Sequence, residues 1–388
     1  MSDSLCPKCL EKYLSAGGSS RPAFGTLPHS AEADQGFLTA AAAVHEDRKT
    51  AGLSGLVGGL EAAVIAVEPG RFRDTAADVL RTTGLTWVES FADASGETGV
   101  FRLESEDAAD ILIRTRAEKG NPFAPFNDFP KSRHLPATRL ETLVFRCSDI
   151  EAYHRIQKER GVLFMTDGPL RGDGFAFIQT RPSPLTGLSY GFIERASRER
   201  DYAFPKSRPL PIERPAARGA YLNHIGRLDH AATRLEARNR IPAILEFMAV
   251  TEYDFDFAVY VPGQNSITNV ARVTKSDFAL VFTSGIAPFS APETSGPTEM
   301  FIRNYGPRVH HMAFCTEEIE TTVESLRADG RDFMIDLIGS PELGLKQIFT
   351  RPFSNTLLVH EYIKRYGDFD GFFAESNVTR LTASTAGQ

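Results

Sequence analysis

Apolar residues recur along this chain with two periods, and the switch between them marks out elements. Residues 62–67 form a short continuous apolar run of the kind a buried strand presents, and 71–83 then carry the 3.6-residue spacing of a helix. Residues 86–91, 98–104 and 110–114 read as three later strands. The order strand–helix–strands recurs, with openings near residues 60, 141, 227 and 310. Ahead of the first module, 1–57 hold the small-residue stretch Gly17-Gly18-Ser19-Ser20 and one expected helix from about Phe37 through Ala40 to Arg48. Pro205, Pro209, Pro211 and Pro215 interrupt helix and sheet alike, so 201–219 read as a semi-rigid linker. The Thr/Ser/Ala-rich residues 376–388 are expected to form a loose tail.

The recurrence is also a repeat of sequence. Thr180-Arg-Pro and the closing Phe192-Ile-Glu-Arg195 align without a gap on Thr350-Arg-Pro and Tyr362-Ile-Lys-Arg365. Glu141-Thr-Leu-Val-Phe145 aligns with His310-His-Met-Ala-Phe314, and Gly59-Leu-Glu-Ala-Ala-Val64 with Arg227-Leu-Asp-His-Ala-Ala232. The chain therefore divides into an extension (1–57), a first half (58–200), the linker and a second half (220–375). Each half holds two βαβββ modules. Paired modules of this kind curl into a half-open barrel with helices outside, an α+β architecture whose concavity suits a ligand.

Composition narrows the function classes. At 388 residues, 42% hydrophobic and 24% charged, the chain is an ordinary globular sequence long enough for two or three domains. Its net charge of −7 and lack of a basic stripe argue against nucleic-acid and anionic-membrane partners. The apolar runs fall short of the ~20 residues that span a bilayer. The opening Met-Ser-Asp-Ser-Leu-Cys lacks the basic-then-apolar order of a signal peptide. With four cysteines, expected to be free thiols, this points to the cytoplasm.

Candidate chemistry comes from comparing the halves. His230 stands where the first half has Ala62, His311 where it has Thr142, and Glu361 where it has Gly191. Two imidazoles and a carboxylate are the ligand set of a facial triad on non-haem Fe(II), which leaves coordination positions open; another divalent metal fits too. Alternation predicts that Val359, Glu361 and Ile363 share an inward face, as do Val309, His311 and Ala313, with His310 opposite, and Leu228, His230 and Ala232. An inward carboxylate among aliphatics is costly unless paired or metal-bound. The plainer alternative is hydrogen-bonded core histidines and a Glu361 paired with a cation such as Arg351.

The segments Leu228-Asp-His230, Val309-His-His-Met-Ala-Phe314 and Leu345-Lys-Gln-Ile-Phe-Thr-Arg-Pro352 followed by Glu361-Tyr-Ile-Lys-Arg365 resemble the catalytic half of the 4-hydroxyphenylpyruvate dioxygenase and hydroxymandelate synthase family, within the vicinal-oxygen-chelate superfamily. Residues 58–200 resemble its degenerate first half. The resemblance implies an Fe(II) centre on His230, His311 and Glu361, with a 2-oxo acid and O2 as substrates of an oxidative decarboxylation and hydroxylation. It also implies substrate contacts at Gln347 and Phe349. Elsewhere the family pattern is altered. His310 replaces a usual Gln, Ser284 a usual Asn, Asn269 a Ser, and Val359 a frequent Phe. The insertion before Gln347 is short, and the glycine-rich loop before a gating helix is missing. Phe369, Phe372 and Phe373 have the spacing of a short lid helix or of plain core packing. A homo-oligomer, dimer or tetramer, is expected by analogy.

Two other readings stay open: a metal-dependent isomerase or lyase on the same fold, with His310 or Glu299 as base, and a protein that binds a small ligand without reaction. Cys6-Pro-Lys-Cys9 would need two further ligands for a zinc site, with His29 or His45 as candidates; the plainer reading is a flexible amino-terminal segment with two free thiols.

Overall fold

The computed structural model describes residues 4–18, 29–31, 34–105, 108–116, 120–197, 199–212, 219–367, 369 and 371–388. Pro215 of the expected linker and Ser19 and Ser20 of the small-residue stretch lie outside them. Helices α1 (Pro7–Ala16) and α2 (Gln35–Ala51) come first. The first half then runs β1 (Val57–Val67), α3 (Phe72–Thr82), β2 (Thr86–Asp93), β3 (Gly96–Arg102), β4 (Asp110–Thr115), β5 (Arg139–Cys147), α4 (Ile150–Glu159), β6 (Leu170–Arg171), β7 (Phe175–Gln179) and β8 (Ser189–Arg195). A two-residue strand, β9 (Arg208–Pro209), joins the edge of the same sheet beside β2. The second half repeats the order with β10 (Ile225–Arg234), α5 (Arg240–Val250), β11 (Asp254–Val261), β12 (Ser266–Arg272), β13 (Ala279–Ser284), α6 (Gly296–Tyr305), β14 (Arg308–Thr316), α7 (Ile319–Ala328), β15 (Ile338–Ser340), β16 (Leu345–Phe349) and β17 (Val359–Arg365). Helix α8 (Glu375–Ser384) closes the chain.

Among the described residues these strands make a nine-stranded and an eight-stranded mixed sheet, with β1 and β5 central in one and β10 and β14 in the other. Each half is the pair of βαβββ modules expected from the repeat. Even the irregularities are duplicated. Register slips between Leu60 and Ala62 and between Val64 and Ile65 on β1 recur between Leu228 and His230 and between Ala232 and Thr233 on β10. A bulge adds one residue to one strand and re-aims its side chains.

The halves are tied by buried polar contacts as well as by a shared core. Arg139 donates to Pro307 O at 2.9 Å, and Arg308, its repeat counterpart, donates to Thr138 O at 2.7 Å. The carboxyl end of α5 leaves carbonyls that its own helix cannot satisfy. Tyr153 takes Val250 O, Gln157 takes Ala249 O, and Arg48 of α2 takes Met248, Thr251 and Tyr253 O, all at 2.7–3.1 Å. Helix α2 stops at Gly52, whose φ of 77° is the left-handed cap that glycine adopts without strain.

Three expectations are corrected here. The Cys6 and Cys9 thiols form a disulfide rather than standing free, so a zinc reading has no thiolates; among the described cysteines Cys147 and Cys315 are free. The residues around that disulfide are packed: the buried Glu246 accepts from Ser4 Oγ at 2.8 Å and Leu5 N at 2.6 Å. Residues 376–388 are not a loose tail, because α8 buries Asn377, Val378, Leu381 and Thr382 against the second half. No helix among the described residues is long and apolar enough to cross a membrane.

Candidate metal centre

Three adjacent strands in the middle of the second sheet carry the three residues singled out by the repeat. His230 lies on β10, His311 on the antiparallel neighbour β14 and Glu361 on β17, which runs parallel to β14. Ala232 is registered against His311, and Ala313 against Glu361. The first half keeps the same registers as Val64 against Thr142 and Val144 against Gly191, without a ligand atom at any of the three positions. In the second half one ligand atom from each residue falls within a group spanning no more than 4.8 Å.

Each ligand is oriented by a partner behind it. His230 Nδ1 donates to Asp229 Oδ1 at 2.7 Å, which leaves Nε2 with a free lone pair. Asp229 Oδ2 in turn accepts from Arg365 at 2.6 Å. His311 Nδ1 lies 2.9 Å from His310 Nδ1, and His310 Nε2 lies 2.8 Å from Gln388 Oε1. With donors running from His311 to His310 to the Gln388 carbonyl, Nε2 of His311 is also left as a lone pair. Glu361 Oε1 accepts from Gln347 Nε2 at 2.6 Å, and Gln347 Oε1 accepts from Asn377 of α8 at 3.0 Å. Oε2 is thereby left to face the two imidazoles, 3.1 Å from His230 Nε2 and 3.3 Å from His311 Nε2.

The donor set fits a cation. His230 Nε2 is fully buried and near Oε2, yet off the direction of a hydrogen bond, and no other polar atom of the described residues satisfies it. Burial disfavours a charge on His230, but the Glu361 and Asp229 carboxylates outweigh it and raise its pKa to about 9. His311 is driven well below the ordinary histidine range, first by burial and then by repulsion from the other basic groups around it, His310, His230 and Arg234. One site thus draws positive charge while its second imidazole stays neutral. A divalent ion bound by neutral imidazoles and one carboxylate meets both conditions.

The cavity beside the triad is lined by Ala232, Val281, Phe349 and Phe373, with His310 and Arg234 at its polar margin. His310 reaches it because the β14 bulge puts it on the same side as His311, against the strict alternation expected from sequence. The equivalent slip at Asp229 likewise separates Leu228, which packs into the main core, from the face of His230 and Ala232. Phe349 stacks obliquely on His311, with ring centres 4.7 Å apart, and Val359 packs behind it.

The structure does not bring five of the expected substrate contacts to open space, the fully buried Val359 among them. Asn269 turns to the helix side, where it accepts from Arg240 and donates to Phe282 O, both at 2.9 Å. Ser284 donates to Gly285 O at 3.1 Å; on both strands it is the neighbours Thr268 and Thr283 that face the cavity. Both polar ends of Gln347 are engaged by Glu361 and Asn377. Phe369 packs with Ala313, Leu345 and Ile363 instead of lining the cavity. Residues 369, 372 and 373 form no helix; Phe372 and Phe373 stand edge-on to His230 at 5.3 Å, and the cover over the mouth is α8. Sequence reading missed Asp229, Arg234 and Asn377. Of these Arg234 had a signal, since it continues the alternation His230, Ala232 into a buried face.

No protein-family model and no curated protein matches the sequence. Among solved structures, the chain is similar to a triple mutant of 4-hydroxymandelate synthase from Streptomyces coelicolor, with a TM-score of 0.61 and 17% identity over 85% of this chain and 98% of that one. It is also similar to a xylose isomerase-like TIM barrel/4-hydroxyphenylpyruvate dioxygenase fusion protein, with a TM-score of 0.57 and 16% identity over 92% of this chain; it spans 58% of that protein's length. These likenesses establish the fold, a tandem vicinal-oxygen-chelate architecture.

Proposed function

We propose that this chain belongs to the 4-hydroxyphenylpyruvate dioxygenase and hydroxymandelate synthase family and is a non-haem Fe(II), O2-dependent dioxygenase acting on a 2-oxo acid. The observation that carries the reading is the convergence of two imidazole lone pairs and one carboxylate oxygen on a buried point beside an apolar cavity. Fe(II) held by those three ligands supplies open positions for the oxygens of a 2-oxo acid and for O2, and with them oxidative decarboxylation and hydroxylation.

The chain's own residues do the rest. Asp229, His310 and Gln347 hold the ligand rings and carboxylate in register, as outer partners do at metal sites generally. Phe349, Phe373 and Val281 give an apolar bed for the substrate's body, and α8 with Phe372 excludes bulk water from the reacting end. Of the two bases open to an isomerase or lyase, Glu299 instead accepts from the Gly285 and Ala237 amides at 3.0 Å, away from the cavity lining, and His310 Nδ1 and Nε2 are engaged by His311 and Gln388.

The test uses anaerobically purified protein reconstituted with Fe(II) and offered 4-hydroxyphenylpyruvate, phenylpyruvate and aliphatic 2-oxo acids. Matched O2 consumption and CO2 release are expected from at least one of them, and His230→Ala should lose iron and both signals together. Turnover under anaerobic conditions with Mg or Mn would overturn the oxygenase reading.

A further inference from the structure

Arg234 is the unexplained group in the second half. Its side chain is almost wholly buried, and no ion pair to it exists among the described residues. Nη2 donates to Thr385 Oγ1 at 2.8 Å, and the guanidinium lies 4.8 Å from the centre of the Phe301 ring. Nη1 has no partner among the described residues, although it is buried. Two other buried arginines of this chain are answered: Arg240 meets both Asp34 oxygens, and Arg48 meets Asp254 and three carbonyls. Arg308 also has an unsatisfied Nη1, but it donates to a carbonyl between the halves and does not line the cavity. Arg234 does line it. A buried guanidinium with an unpaired donor beside a cavity is expensive unless something negative reaches it.

Its neighbours are suited to the same task. Arg234 is registered against Thr283 on β13, and Thr283 against Thr268 on β12. All three side chains line the cavity, so one cross-strand row offers a guanidinium and two hydroxyls. One step toward the metal end, the row Ala232, Val281, Val270 is apolar. His230 lies a further step on, in register with Ala279. At a strand rise of ~3.3 Å per residue, the His230 and Arg234 Cα atoms are roughly 13 Å apart, and His311 and Glu361 of the triad line the same cavity as Arg234. The cavity is thus polar at both ends and apolar between.

The geometry points to a substrate with two anionic ends: a 2-oxo acid group at the triad and a second carboxylate held by Arg234 with Thr268 and Thr283. The inference rests on the reading above for the metal end alone. The carboxylate bound at the far end would accept from the free Nη1 and from the two hydroxyls. Arg234 is then a specificity-determining residue, and a monoanionic analogue would leave that donor unpaired.

Calorimetric titration of the anaerobic, Fe(II)-loaded protein with matched pairs tests this: 2-oxoadipate against 2-oxohexanoate, and 4-carboxyphenylpyruvate against phenylpyruvate. A charge-assisted pair in a buried site gives roughly a tenfold or greater preference for the dianion in at least one pair. Arg234→Met should bring that ratio to within about twofold, and Arg234→Lys should restore part of it. Equal affinities in the wild-type protein overturn the inference without any variant, as does a preference that survives Arg234→Met. If neither member of any pair binds, the 2-oxo acid reading of the site fails and this inference fails with it. If only the monoanions bind, that reading stands and the role given to Arg234 does not.

Discussion

Replacing Asp229 by Asn tests whether the triad is held in place by the carboxylate behind it. Asp229 bridges His230 Nδ1 at 2.7 Å and Arg365 at 2.6 Å. Burial pushes its pKa up, but His230 and Arg365 more than compensate and hold it at about 2, so it is a carboxylate at any working pH. Asparagine keeps the volume and one acceptor. However, either its amide nitrogen faces the guanidinium, donor against donor, or the group flips and faces His230 with it. Arg365 is a quarter exposed and can turn to water, whereas the His230 side chain is fully buried and cannot. The amide oxygen therefore stays toward His230, and what the imidazole loses is the negative charge of its acceptor, which lowers the basicity of that candidate ligand. Outer partners of this kind are worth roughly 10- to 100-fold in metal affinity, which is about 1.4–2.8 kcal/mol. Anaerobic Fe(II) titration against a competing chelator measures it, with His230→Ala as the reference for a lost ligand. An Asn variant that binds iron within about threefold of wild type would refute the argument that Asp229 sets the ring.

Two further outcomes concern the frame. Glu246→Leu should lower the urea midpoint, because Leu5 N and the Ser4 hydroxyl lose their buried acceptor, and one such orphan costs about 1–3 kcal/mol; an unchanged midpoint would mean that the amino-terminal segment contributes nothing to the fold. Glu89 has its pKa raised from 4.5 to about 7, by burial first and then by the neighbouring Asp201. The native state therefore keeps a proton that the unfolded chain releases, and stability falls as pH rises from about 4.5 to 7. Melting temperatures across that window should decline less in Glu89→Gln than in wild type, and parallel curves would count against the shift.

The order of elements and the grouping of the three candidate ligands were readable because they rest on periodicity and on a repeat that supplies its own comparison. A strand cannot show an isolated His at one position in one half, and Ala at its twin, without inviting the question of what the His does. The substrate side was less readable, for one physical reason. Alternation predicts facing only while the ladder is regular, and β14 and β10 each carry an extra residue beside a ligand. His310 was therefore assigned to the wrong face and Leu228 to the inner one. Asn269 and Ser284 were placed by resemblance, and each sits one residue from the threonine that faces the cavity. Helix α8 was missed because its composition is that of a tail, although Val378 and Leu381 have the i, i+3 spacing of a buried stripe.

The duplicated frame also bears on how the centre arose. In the first half Glu61 occupies the bulge position of Asp229 and is held by Arg195, the counterpart of Arg365, at 2.7 Å, and by Arg146 at 3.0 Å. That acid and arginine exist there with no imidazole to orient, since the next residue is Ala62. An acid–arginine pair behind the first strand is therefore a property of the fold. In the second half a side chain one methylene shorter keeps the arginine and adds a bond to a histidine. The consequence is that Asp229 serves two purposes, and loss of stability on its substitution says nothing about the metal. The two separate only in a variant of the first half. Glu61→Gln should destabilise the protein by the frame's share alone while leaving iron affinity unchanged, and the excess in Asp229→Asn is then the share that belongs to His230.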